Sequence, residues 1–105
     1  MATPYSLFFT QDARGDINEI YDYIAHSLSA EKAAHRLMSK IESEIRSLAD
    51  FPYSGPLVSD VRLAALGYRK LLVERYILVY TVDESKCSVI ILRVFYGAMD
   101  YLKYL

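Results

Sequence analysis

The chain has 105 residues, a formal net charge of −1 and 53% hydrophobic residues. That is the length of one domain, 1–105, with enough apolar mass for a core that needs no metal or disulfide staple. The charge balance excludes the basic excess by which proteins hold long nucleic acid.

The opening "MATPYSLFFTQD" has no basic region and no long apolar run, so no signal peptide is expected. No stretch reaches membrane-spanning length, and a soluble, cytoplasmic protein with no membrane partner follows. Cys87 is the lone cysteine, which leaves no internal disulfide and no cysteine-based zinc site. Neither a metal nor a cofactor is expected.

Tyr5 to Phe9 is short and aromatic and lies between Pro4 and Thr10, which suits a strand. The period then changes. Ala13, Ile17, Ile20, Ile24 and Leu28 recur at steps of three and four, predicting an amphipathic helix from about Gln11 to Ser27. Thr10 is its N-cap, and Asp12 and Asp16 suit its positive end. Ser29 is expected to cap a second helix, whose apolar positions run from Ala33 to Ala49. Phe51-Pro52 ends it, because a residue before proline is pushed out of helical space. The short turn between the helices makes them antiparallel neighbours.

Residues 52–67 form a long connection carrying Pro52, Gly55, Pro56 and Gly67. A loop of that length is functional or packed on itself. Three apolar runs follow, Tyr68 to Val73, Tyr76 to Val82 and Ser88 to Tyr96, and their Val, Ile, Leu and Tyr content predicts strands. Asp83 to Lys86 forms one hairpin loop. Glu74-Arg75 forms a tighter turn in which neither residue favours positive φ, so a bulge is expected nearby. The order is β-α-α-β-β-β, an α+β domain with a small, mainly antiparallel sheet covered on one face by an α-helical hairpin.

Opposing Val73 to Tyr76 and Val82 to Cys87 divides the strands between two faces. One would hold Leu72, Ile77, Val79, Ile90, Leu92 and Val94, wholly aliphatic and therefore expected under the helices. The other would hold Arg69, Leu71, Val73, Tyr76, Leu78, Tyr80, Val89, Ile91, Arg93 and Phe95. Its mixture of tyrosine, arginine and apolar residues reads as a partner surface, unless the tail or the 52–67 loop folds across it.

Four segments, in this order, resemble the RelE/ParE toxins of bacterial type II toxin–antitoxin systems. They are "DINEIYDYIA" (16–25), "AAHRLMSKIESEIRSLADFPYSG" (33–55), "GYRKLLVERYILVYTVDE" (67–84) and "VIILRVFYGAMDYLKYL" (89–105). The resemblance implies a growth-arresting toxin bound and neutralised by a cognate antitoxin as a hetero-oligomer. The antitoxin's disordered tail would fold on the toxin, laying a helix on the hairpin and adding a strand to the sheet. The family divides by target. RelE-like members cut mRNA on the ribosome with clustered Lys and Arg and often a C-terminal His, Arg or Tyr. ParE-like members bind and poison DNA gyrase. A non-toxic binding or co-repressor relative is a third reading.

Where many members carry Gly-Arg-Arg-Asp, this chain has Gly97-Ala98-Met99-Asp100, which favours the ParE-like reading. In the RelE-like alternative Arg69, Arg93 and Tyr96 would be the catalytic groups. As target- or antitoxin-binding residues the candidates are Arg69, Tyr76, Tyr80, Arg93, Tyr96, Asp100 and Tyr101. Each has a plainer role. Arg69 can lie along Tyr80 with its charge in water, Arg93 can pair with a carboxylate such as Asp100, and the tyrosines can close the core edge. His26 and His35 fall in the helical hairpin, away from the sheet, and Arg62 reads as solvated.

Overall fold

The computed structural model describes residues 3–97 and Leu105. Strand β1 (Ser6–Phe9) leads into helix α1 (Gln11–Asp22), which runs on through a π-helical turn, Tyr23–Ser27. Helix α2 (Glu31–Asp50) returns antiparallel, and a short helix α3 (Val61–Ala65) interrupts the connection to β2 (Arg69–Val73), β3 (Tyr76–Asp83) and β4 (Ser88–Tyr96). The sheet order is β1-β4-β3-β2, with only β1 parallel to its neighbour. Fold class and element order are those expected from the sequence, apart from the added short helix α3 in the 52–67 connection.

Thr10 caps α1 as expected, accepting a hydrogen bond from the Ala13 N–H at 3.0 Å. Ser29 does not cap α2. It takes φ 50° in the turn, and Ala30 stands at the N-cap position without a side-chain bond. The helices bury Ala13, Leu37, Ile41, Ile45 and Leu48 against the sheet.

The sheet face under the helices is the reverse of the expected one over most of its area. Leu71, Val73, Tyr76, Leu78, Tyr80, Val82, Val89 and Ile91 pack beneath the helices together with Val94. Ile77, Val79, Leu92 and Phe95 lie on the other face, where Tyr68 and Leu105 pack against them. Leu72 pairs with Ile77 and is 66% exposed, and Ile90 pairs with the exposed Phe8.

The expected register of Val82 on Cys87 is instead Val82 on Val89, a shift of two residues that leaves each side chain on its face, whereas an irregularity between Val79 and Tyr80 leaves Leu92 unopposed. One extra residue reverses the parity of the rest of a strand. So Val94 stays in the core while Leu92, two residues before it, does not. The tight turn carries no bulge: Val73 pairs with Tyr76, and Glu74 takes the left-handed conformation at φ 55°.

The 52–67 connection is packed rather than loose. Val58 is buried, Leu57 bridges to Arg69, and Asp60 caps α3 through the N–H groups of Arg62 and Leu63. Arg62 is solvated apart from a 3.9 Å approach to Asp60.

Candidate functional site

Three clusters hold the sequence candidates. The first is built where the 52–67 connection crosses β2 and β3. Tyr80 stands opposite Arg69 and is fully buried. Its hydroxyl accepts the Gly55 N–H at 3.0 Å, and burial pushes its pKa up. Arg69 donates to the Gly55 carbonyl at 2.8 Å and lies 5.0 Å from the centre of the Tyr53 ring. Gly55 is required by space. A Cβ there would lie 2.3 Å from the Lys70 carbonyl oxygen and 2.9 Å from the Tyr80 hydroxyl. So the loop folds across this part of the surface, and Tyr80 is a buried anchor rather than an open contact.

The second cluster lies where β4 runs beyond the end of β1. The Arg93 guanidinium makes a two-point contact with Asp16, at 2.8 and 3.0 Å, and the Val94 N–H donates to the same carboxylate at 2.9 Å. Thr10 secures the adjoining turn by donating its hydroxyl to the Leu92 carbonyl at 2.7 Å. The pairing raises the Arg93 pKa, chiefly through the hydrogen bonds to Asp16. The guanidinium also sits 4.8 Å from the Phe95 ring centre. Arg93 thus pairs with a carboxylate, and that partner is Asp16 of α1. Asp16 opens the "DINEIYDYIA" segment and in the sequence suits the positive end of the first helix, but nothing there links it to Arg93.

The third cluster is a groove of about 630 Å³ between the π-helical turn and the ends of β3 and β4. Tyr76 and Tyr96 face each other across the strands, with ring centres 5.7 Å apart. Tyr23, Leu28 and Arg75 complete its rim, and Tyr23, Leu28 and Tyr96 are 57%, 54% and 42% exposed. Burial raises the Tyr76 pKa, with the neighbouring Tyr96 and Tyr23 phenols adding to the effect. Sequence reading missed Tyr23, Leu28 and Arg75, which look like an ordinary helix face and a turn residue.

A family model described as the ParE toxin of type II toxin–antitoxin systems, parDE, matches residues 7–101. The chain belongs to the ParE toxin family. Among solved structures, this toxin superposes on a chain of the chromosomal ParDE TA system from P. aeruginosa. The TM-score is 0.72 at 22% identity, covering 90% of this chain and 98% of that one. A chain of the toxin–antitoxin complex RelBE2 from Mycobacterium tuberculosis gives 0.66 at 22% identity, covering 89% and 98%. No curated protein sequence matches.

For a ParE-family toxin, the placement of the three would-be catalytic groups is informative. Arg69 sits opposite Tyr80 and Tyr96 opposite Tyr76, four residues apart along β3, which is roughly 13 Å. Arg93 pairs with Val79 on the helix-free face. The three are not brought together. Asp100 and Tyr101 lie outside the described residues. His26 and His35 flank Tyr21 on the hairpin, with ring centres 6.3 and 5.4 Å from it. Among the described residues no group of His, Cys, Asp and Glu could hold a metal, and no helix is long and apolar enough to cross a membrane.

Proposed function

We propose that this toxin arrests growth by binding DNA gyrase, and that a cognate antitoxin neutralises it as a hetero-oligomer. The observation that carries the reading is the dispersal and engagement of the nuclease candidates. Cleaving RNA through the 2′-hydroxyl needs a base, a leaving-group acid and positive charge converging on one phosphate. Here the charge of Arg93 is held by Asp16, while Arg69 is tied to the 52–67 connection. A binding poison has no such requirement. The antitoxin partner is supported by the relatives' settings, one a ParDE TA system and the other a toxin–antitoxin complex.

The test follows growth and a DNA-damage reporter together after the protein is induced alone in a bacterium. Growth arrest with a reporter rise, and loss of supercoiling by purified gyrase at toxin excess, is the expected result. Arrest with a silent reporter and intact supercoiling would move the target to the ribosome. The Tyr76–Tyr96 pair with Arg75 beside it would then be where to look for chemistry.

A further inference from the structure

The two edges of the sheet are finished differently. Along β2 the 52–67 connection lies on the outer side. The Val58 N–H donates to the Tyr68 carbonyl and the Lys70 N–H to the Pro56 carbonyl, both at 3.0 Å. On β1 the Ser6 and Thr10 N–H groups donate inward, to the Cys87 and Ile91 carbonyls. The N–H and C=O groups of Leu7 and Phe9 therefore point away from the sheet, and none of the described residues bonds them. No charge, proline or bulge guards the edge between Ser6 and Phe9.

We propose that β1 pairs antiparallel with β1 of a second copy of this chain, joining two toxins into one continuous sheet. The register is Leu7 on Phe9, in which every outward N–H meets an outward C=O. The neighbouring registers fail. Leu7 on Leu7 needs the Tyr5 N–H, which already donates to the Ala49 carbonyl at 2.8 Å, and Phe9 on Phe9 needs Gln11, which is in α1. The twofold axis then passes between the two Phe8 rings, each 54% exposed in the single chain, and sets them against each other. On the opposite face Leu7 and Phe9 line a groove of about 310 Å³ with Ile17, Met38, Ile41 and Ile45, and its charged residues Glu42 and Arg46 pair with each other. That groove offers no free charge to a charged partner, and the axis closes it on its own copy. The edge is thus self-complementary, as a twofold contact requires, and the contact closes on itself at a dimer. The dimer edge stands whether or not gyrase is the target.

The experiment measures the mass of the purified full chain by size-exclusion chromatography with light scattering over a dilution series. The mass should rise from one chain to two with concentration. Phe8→Glu sets two carboxylates face to face on the axis and should weaken the dimer about tenfold or more, while Phe8→Tyr should keep it. Phe8 is exposed, so the diluted variants should melt like the diluted wild type. The exposed Cys87 is removed as Cys87→Ser before a second measurement, cross-linking by oxidised glutathione. Added to that background, Phe8→Cys should give a disulfide-linked dimer, because residues opposed across the axis lie within disulfide reach. Ser6→Cys should not, since in this register it faces Thr10 of the other copy. A single-chain mass at every concentration, a dimer unmoved by Phe8→Glu, or Ser6→Cys cross-linking as readily as Phe8→Cys would overturn the proposal.

Discussion

Arg93 and Arg69 approach the same sheet and end in opposite electrostatic states. Arg93 meets a carboxylate in two-point contact, with side chains of 24% and 13% exposure on the two partners. Among the described residues the Arg69 guanidinium meets a carbonyl and a ring face. The first arginine is neutralised where it stands. The second is held in place, but its charge is not cancelled by any carboxylate among the described residues. Both are structurally engaged, and only Arg69 still offers a positive field to a partner.

The strongest way to test this contrast is to remove Asp16. Asp16→Ala strands a largely buried guanidinium and also orphans the Val94 N–H, so we expect a loss of about 3 kcal/mol. The fall in melting temperature would be large for a chain of this size. Arg93→Ala should cost less, because Asp16 keeps its bond to Val94. A double variant close to Asp16→Ala alone would confirm that the pair acts as one unit. If Asp16→Ala melts like the wild type, Arg93 is not locked and returns as a candidate for phosphate contact.

Gly55→Ala probes the other side. The new Cβ would press on the Lys70 carbonyl, which is backbone and cannot swing away. The loop must shift, at a cost of about 2 kcal/mol, and Arg69 loses its anchor with it. Urea denaturation measures the cost. A neutral result would mean that the 52–67 connection is only loosely seated on β2.

Much of the fold was legible because helix and strand periods differ and proline punctuates the chain. The faces of the sheet were not, and the reason lies in β3. Ile77 and Val79 on one side and Leu78 and Tyr80 on the other are all buried, so alternation could not tell inside from outside. Tyrosine looked like a surface residue, yet Tyr80 goes inside because its hydroxyl has the Gly55 N–H to meet. The irregularity at Leu92 then reversed the parity of β4. Of the site, the residues carrying obvious chemistry were visible, but their partners were not. Asp16 lies 77 positions from Arg93, and no local pattern links them.

Arg69→Ala sharpens the functional half of the contrast. It removes one hydrogen bond and one ring contact, so the stability cost should be only about 1 kcal/mol. Its effect should appear instead in growth arrest or partner affinity, measured in the same strain beside Asp16→Ala. A folded Arg69→Ala protein with full toxicity would show that its remaining field is not used.

The smallest effect expected concerns Tyr80, and its sign depends on pH. At neutral pH Tyr80→Phe loses the acceptor for the Gly55 N–H and should cost about 1 kcal/mol. Burial raises the wild-type phenol's folded-state pKa, so the fold favours the protonated form. That contribution is complete below the unfolded tyrosine value of about 10 and is lost as pH rises through the folded value. Phenylalanine has no proton to lose. The variant should therefore be the weaker protein at neutral pH and should lose less stability on going to strongly alkaline solution. Tyr53 and Tyr76, whose pKa values are also raised, keep some alkaline sensitivity in both proteins. Melting curves across that range would show the gap between the two narrowing. Parallel curves would mean that Tyr80 reaches water before the fold opens, and that the seal of the 52–67 connection over Arg69 is weaker than the contact distances imply.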